Sequence, residues 1–414
     1  MSKKNTLSTE SYKGVRDFYP EDQALLNYII ATWRTTAERW GFVEYHASIL
    51  EPSELYKAKG ADNEEIISEQ TYTFEDRGGR EVTLRPEMTP TVARMVAQRR
   101  RELGYPLRWY SIPNCFRYER PQRGRLREFW QFNADIFGSR SSASDAEIIA
   151  FAAALMRAFG ATEGDFEIRI GSRTHLDEIC QELGFDDAKK KALLALLDRK
   201  NKMPVADFAR AAGDLGVPLS LLEGGKVPKE VAEALSFLEG LGVSNARYDP
   251  TIVRGFTYYT GIVFEIFDTH PDNNRAVMGG GRYDNLTELF GGDPLPGIGF
   301  AVSDEVMRIF MDVRGLIPQY LPPTKVYVAV AEESLAGEAL QLANELRSAG
   351  IATAVDYGER KLGDQIKIAS KHRIPFVIVV GQNEITSGTF SIKNLDTGEE
   401  VSYERSRLAD FFNA

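Results

Sequence analysis

Between Phe116 and Gly138 the chain reads FRYERPQRGRLREFWQFNADIFG. The stretch holds five arginines (Arg117, Arg120, Arg123, Arg125, Arg127) and three acids (Glu119, Glu128, Asp135). Phe116, Tyr118, Phe129, Trp130 and Phe132 are threaded among them. Arginine offers phosphate or carboxylate a planar fork, keeps its charge at any working pH and stacks on aromatic faces. Neighbouring aromatics can sandwich a base or sugar. The combination suits a bound nucleotide whose phosphate is attacked, because phosphoryl or nucleotidyl transfer asks a protein chiefly for positioning and charge neutralisation. On composition alone, a surface arginine run paired with Glu119 and Glu128 accounts for it equally well.

Four further stretches bear on chemistry. TLRPEMTP sets Arg85 and Glu87 beside prolines at a strand end, and IVRGFTYYTGIVFEI plants Arg254 and Gly255 among β-branched strand residues, ahead of Tyr258 and Tyr259. MGGGRYDNL has glycines where backbone can approach a ligand closely, and PGIGFAV is a second glycine strand leading to a helix. Each alone has a plainer reading: a salt-bridged strand end, a core tyrosine pair, bulge glycines. Arg254 could equally pair with a structural acid such as Glu265. Other chemistries are disfavoured. His46, His175, His270 and His372 are far apart, with no HExxH and no cysteine ligand nearby. Gly224–Lys226 fails the Walker pattern, GIGFAV lacks the third glycine of GxGxxG, and no GxSxG occurs. No tightly bound, protein-ligated metal is expected.

These residues need a scaffold. A chain of 414 residues is too long for one compact core, so two or three domains are expected. Hydrophobic content of 43% and charged content of 27% are those of a globular protein, and no apolar run approaches a membrane span. The start, MSKKNTLSTES, lacks the apolar stretch of a secretory signal. Cys115 and Cys180 are the only cysteines, which suits a reducing cytoplasm. A net charge of −10 argues against a non-specific nucleic-acid coat protein but not against a local basic site.

Apolar spacing predicts a helix over 22–40, then a strand in FVEYHASIL closed by Pro52. TYTFED and EVTLR flank RGG as a hairpin, and LRWYSIPNCFRYER and EFWQFNADIFG are β-rich around the loop RPQRGRLR. SDAEIIAFAAALMRAFG is a helix with Ser144 and Glu147 in capping-box spacing. From about 171 to 244 the texture is helical and polar, an insertion. Strands return with YDPTIVRGFTYYTGIVFEIF, VMGGGRYDNL and LPGIGFAV. Beyond LPPTK, which reads as a linker, strands alternate with helices in a small α/β domain with a largely parallel centre. The fold class is α+β: a mostly antiparallel catalytic body over 1–320, interrupted by helices, and an α/β domain over 321–414.

Taken together and in this order, the stretches resemble histidyl-tRNA synthetases, a class II aminoacyl-tRNA synthetase family, over nearly the whole chain. YKGVRDFYPED opens the resemblance, and the helix–strand–Pro52 unit is similar to class II motif 1. TLRPEMTPTVAR follows, then FRYERPQRGRLREFWQFNADIFG as motif 2. VRGFTYYTGIVFE and GGGRYDNL resemble the two histidine-specific signatures, and the tail resembles the family's anticodon-binding domain. The resemblance implies that histidine and ATP give histidyl-adenylate and pyrophosphate, and that histidine then passes to the 3′ end of tRNA(His). By it Arg117 grips the α-phosphate, Glu119 the adenine amino group, and Arg125 the outer phosphates with Mg²⁺. Glu87, Thr89 and Gln131 take the histidine ammonium. Asp135 and Tyr259 bond the imidazole nitrogens, with Tyr258 beside them. Arg254 bridges the histidine carboxylate and the α-phosphate, so Arg254 and Arg117 are the catalytic pair. The motif 2 loop, with Arg120 and Gln122, reaches the tRNA acceptor end. A homodimer and a cytoplasmic location are also implied.

Two departures stand out. Family members usually carry Glu where Asp135 stands, and Val306 occupies the place of the motif 3 arginine that stacks on adenine. Arg308, two residues on, lies ~200° around the helix. Val306 leaves an alternative: a synthetase-like regulatory subunit of ATP phosphoribosyltransferase, a sensor in histidine biosynthesis. The tail domain, which such paralogues usually lack, speaks against it.

Overall fold

The structure is a computed structural model and describes residues 7–57, 70–200, 203–222, 226–254, 258–273 and 275–413. Gly224 and Gly225 of the Walker-like stretch and Gly255 beside Arg254 lie outside the described residues. The chain divides into two units, Met1–Pro318 and Gln319–Ala414.

In the first unit the chain runs through β1 (Val43–Glu44), β2 (Leu50–Pro52), β3 (Tyr72–Glu75), β4 (Glu81–Leu84), β5 (Leu107–Ser111) and β6 (Asn114–Phe116). It continues through β7 (Glu128–Phe137), β8 (Phe166–Ser172), β9 (Ala246–Tyr248), β10 (Ile262–Asp268), β11 (Ala276–Arg282) and β12 (Gly297–Ser303). The main sheet has the order β1-β5-β7-β12-β11-β10-β8-β9, with β6 on β7; β2-β4-β3 form a small separate sheet. Pairing is antiparallel from β5 through β8, and parallel only at the two ends.

Strand alternation divides the labour of the sheet's faces. Phe132, Ala134 and Ile136 of β7 and Ile298, Phe300 and Val302 of β12 enter one large apolar core. The helices Pro20–Arg39, Ser142–Ala158, Lys229–Gly240 and Asp304–Val313 pack into the same core. The intervening residues, Gln131, Asn133, Asp135, Gly299 and Ala301, therefore project on the other face.

Several expectations change. FVEYHASIL is not one strand: Val43–Glu44 pairs with β5, while Leu50–Pro52 pairs with β4 in the other sheet. Arg85 explains the break. It is 1% exposed, donates from Nη1 to the Ala47 carbonyl at 2.8 Å and from Nε to the Asn114 carbonyl at 2.8 Å, and so pins the turning chain. The helix Ser142–Ala158 is capped by Ser141, whose hydroxyl accepts from the Ala143 amide. Ser144 instead donates to the Ser141 carbonyl, and Glu147 is occupied by Arg108 at 2.8 Å. The strand β8, buried at Phe166, Ile168 and Ile170, precedes the helical stretch and was not anticipated. Nor is that stretch one body. The helices from Arg173 to Leu222 close a core of their own, whereas Val231, Ala234 and Leu238 join the main core.

The second unit contains β13 (Val326–Val330), β14 (Thr353–Val355), β15 (Phe376–Val380), β16 (Thr389–Asn394) and β17 (Glu400–Glu404), in the order β14-β13-β15-β16-β17. The first three pair in parallel, with helices Ala336–Ser348 and Leu362–Lys371 as crossovers. The hairpin β16–β17 extends the sheet antiparallel and went unread in the sequence. Among the described residues, no helix is long and apolar enough to cross a membrane.

Candidate active site

One cavity opens on the polar face of the main sheet. Glu87, Thr89, Arg117, Gln131, Asp135, Arg254, Tyr258 and Tyr259 all line it. Thus every residue assigned to histidine, together with the α-phosphate arginine, reaches one place from segments far apart in sequence. Gln131, Asn133 and Asp135 arrive by alternation on β7. Glu87 precedes the helix Thr89–Gln98, and Thr89 is that helix's first residue. Arg117 follows β6, its Nε donating to the Pro86 carbonyl at 2.9 Å and its guanidinium over the Phe129 ring, 5.3 Å from the centroid.

Glycines make the room. Gly299 lies opposite Asp135 in the β12–β7 register, and a Cβ there would fall on the Asp135 carboxylate. Gly279 does the same for Arg254: a Cβ would stand 2.6 Å from Nη1 and 2.9 Å from Cζ. Gly299 and Gly279 are therefore space requirements of these two charged side chains.

Asp135 is 4% exposed and accepts a hydrogen bond from the Tyr283 hydroxyl. Burial pushes its carboxyl up to about 7, and the Tyr283 bond pulls the other way. Tyr258 donates to Glu87 Oε2 at 3.4 Å and packs against Tyr259 with the rings tilted by 48° and centroids 4.8 Å apart. Its ring meets Tyr283 edge-on at 6.0 Å. Cys115, buried, has its thiol pushed up to about 12 by burial, so it is no nucleophile at neutral pH.

Arg254 corrects one expectation. Ile252–Arg254 is not a strand, and Arg254 has φ +59°. Its Nη1 donates to Glu265 Oε1 at 2.8 Å, so the plainer pairing weighed from the sequence is present. Arg254 nevertheless lines the cavity, and its buried Nε has no hydrogen-bond partner among the described residues. Burial works against the cation, but Tyr259 and Glu265 outweigh it, and the guanidinium is held charged.

Glu119, Arg120, Gln122 and Arg125 do not line the cavity; they form the loop between β6 and β7. Glu119 stands between two cations, Arg125 at 3.4 Å and Arg117 at 3.9 Å. Gln122 and Arg125 close the turn through reciprocal backbone bonds, and Arg120, Gln122 and Arg125 are exposed. Val306 faces this loop: a Cβ built on Gly124 would lie 3.9 Å from Val306 Cγ2 and 3.2 Å from Arg275 Nη1. Arg308 is turned away and bound to Glu305 at 3.0 Å. Asp304 accepts from the Trp130 amide at 2.9 Å and from Arg16 at 2.5 Å, a brace between the N-terminal segment, β7 and the last helix of the unit.

Sequence reasoning missed Asn133 and Tyr283. Asn133 was recoverable from alternation between Gln131 and Asp135. Tyr283 stands inside GGGRYDNL, but its reach to β7 depends on the register of strands distant in sequence.

The chain matches the family model described as Histidyl-tRNA synthetase over residues 14–306 and the Anticodon binding domain over residues 325–414. It is 38% identical to the histidine–tRNA ligase of Leptospira biflexa, covering 98% of this chain and 97% of that one. It is 36% identical to that of Opitutus terrae, covering 98% and 99%. Among solved structures, apo S. aureus histidyl-tRNA synthetase superposes with a TM-score of 0.76 at 25% identity over 98% of this chain and 100% of that one. The histidyl-tRNA synthetase of Nostoc sp. PCC 7120 has a TM-score of 0.79 at 23% identity, over 99% of both chains. With the fold, both domain matches and full-length relatives in agreement, the chain belongs to the histidyl-tRNA synthetase family, class II aminoacyl-tRNA synthetases that join histidine to tRNA(His).

Proposed function

We propose that the cavity on the polar face of the sheet activates L-histidine with ATP and transfers it to the 3′ end of tRNA(His). The histidine carboxylate attacks the α-phosphorus, the bond to pyrophosphate breaks, and a ribose hydroxyl of the tRNA terminus then displaces AMP. A carboxylate nucleophile is already ionised at pH 7, so the first step needs no general base. Its difficulty is the repulsion of two anions. Arg254 and Arg117 answer it, with fixed cations on the carboxylate and the α-phosphate. Glu119 takes the adenine amino group, and Arg125 the outer phosphates with Mg²⁺ that arrives with the nucleotide. Glu87, Thr89 and Gln131 receive the ammonium. Asp135, ionised, accepts the imidazole N–H, while Tyr259 donates to the other ring nitrogen and Tyr258 packs beside it. A neutral imidazole offers one donor and one acceptor, so this pair discriminates strongly against rings with another pattern.

The observation that carries the reading is the convergence of all seven residues assigned to the histidine substrate, with Arg117, on one cavity. Arg120 and Gln122, exposed on the motif 2 loop, are available to the tRNA acceptor end. Dimerisation is supported by apolar side chains left exposed near the motif 1-like segment: Val43 at 63%, Leu50 at 44% and Ile49 at 38%. A class II pair through this element would bury ~2,000 Å² or more. Free, buried Cys115 and Cys180 suit a cytoplasmic protein. The sensor alternative has one observation on its side, Val306; the anticodon-binding match of the tail weighs against it. Histidine-dependent exchange of labelled pyrophosphate into ATP tests the proposal. An enzyme exchanges with histidine alone among amino acids, and a sensor does not exchange.

A further inference from the structure

Arg254 is an awkward place to hang a cation. Its backbone, at φ +59°, lies in a region that side-chain-bearing residues seldom occupy, and it stands outside any strand. Its guanidinium must therefore be aimed by contacts from other elements. Tyr259 interacts with Arg254 within the cavity, and two further contacts come from the middle of the main sheet. Glu265 of β10 accepts from Nη1 at 2.8 Å, with each side chain 20% exposed. Gly279 of β11, directly opposite Glu265 in the antiparallel register, leaves the space that Nη1 and Cζ occupy.

Glu265 thus grips one end of the guanidinium, and the grip has a direction. The Nη1 end is bound, Nε is buried and not bonded to any described group, and Arg254 as a residue lines the cavity. Glu265 itself is not among the residues lining the cavity. We propose that Glu265 is a positioning residue for adenylate formation: it anchors Nη1 so that Arg254 presents its other edge to the histidine carboxylate and the α-phosphate. The inference rests on the adenylate-forming reading above. Glu265 touches neither substrate, and acts only through Arg254.

The geometry separates this role from a plain ion pair. A pair that served stability alone would need neither a place in the lining of a cavity nor a buried donor left unbonded on its cation. A cation placed on strained backbone is also free to swing once its anchor is lost. Displacement of ~1 Å at a reacting centre typically costs about 10²-fold in rate.

Three variants of the full-length chain test it: Glu265→Ala, which removes the anchor; Glu265→Asp, which keeps the charge but draws it back by one methylene; and Glu265→Gln, which keeps the length and the accepting oxygen. Single-turnover adenylate formation is measured over ranges of histidine and ATP, with melting curves and tRNA binding alongside. Glu265→Ala is expected to lose about 10²-fold in kcat, more than any rise in either KM, and Glu265→Asp about tenfold. Glu265→Gln should recover most of the loss. In an Arg254→Ala background, Glu265→Ala should cost nothing further, because a group acting only through Arg254 has nothing left to position. Parental rates in Glu265→Asp, additive losses in the double variant, or a defect confined to melting would each overturn the proposal, and Glu265→Asp decides the matter should Glu265→Ala not fold. The control is the parent. If it makes no adenylate, the functional reading itself fails; if it does and the variants match it, only the role of Glu265 fails.

Discussion

Asp135 offers a way to test the proposed histidine subsite through pH. Burial raises its carboxyl from an ordinary 3.8 to about 7. The folded protein therefore holds a proton there that the unfolded chain has lost, so stability falls as pH rises from about 4 to about 7 and levels off above. At about 1.36 kcal/mol per pH unit, the gap between 3.8 and about 7 comes to about 4 kcal/mol at pH 8. Asp135→Asn removes that burden, so the variant should gain stability relative to the parent across this window. Function runs the other way. The ionised carboxylate accepts the imidazole N–H more strongly than the neutral acid, and its population falls about tenfold between pH 8 and pH 6. Histidine affinity, measured calorimetrically at pH 6, 7 and 8, should fall more in the parent than in Asp135→Asn, by up to about tenfold. The free substrate's imidazole titrates identically in both measurements, so the ratio reports the change at Asp135. Tyr283→Phe removes a bond that lowers the Asp135 value and should move the midpoint upward. Equal pH dependence in parent and Asp135→Asn would refute the assignment of Asp135 to the imidazole.

Arg254→Ala should slow adenylate formation by about 10²–10³, the usual cost of removing one preorganised donor (about 2.7–4 kcal/mol). Its melting point should also drop, because Glu265, 20% exposed, loses its partner; near-parental adenylate formation would exclude the catalytic role. A chain stopped at Leu321 should keep pyrophosphate exchange and lose most tRNA charging, since the cores of the two units share no residues; normal charging would refute the tRNA role of the tail. Sedimentation at micromolar concentration should give a dimer for the parent and a monomer for Val43→Glu/Leu50→Glu, and a monomeric parent would exclude the motif 1-like interface.

Much of the site was legible because its determinants are local. Alternation along 128–137 sends Gln131 and Asp135 to one face whatever the sheet around them, and the proline after Arg85 and the glycines of β11 and β12 mark ends and close approaches by their own chemistry. What was not legible depends on partners distant in the chain. Ile252 and Val253 are β-branched and read as strand, yet they precede a left-handed Arg254 whose orientation comes from Glu265 and Gly279. The break in FVEYHASIL is imposed by Arg85, nearly forty residues downstream. The capping-box spacing at Ser144 was outcompeted by Ser141 once Arg108 claimed Glu147. The helix Lys229–Gly240 has the same polar texture as its neighbours, and only its packing against Ser142–Ala158 assigns it to the body.

Amino-acid-dependent exchange of labelled pyrophosphate into ATP, run with histidine and with each of the other amino acids, tests the central claim most directly. It reads the first step alone, independently of tRNA and of the tail domain. The account predicts exchange with histidine and none above background with the rest, slowed by about 10²–10³ when Arg254 is replaced by alanine. Exchange absent with histidine, in a folded chain that still binds it, would contradict the account and leave a histidine-binding protein that activates nothing.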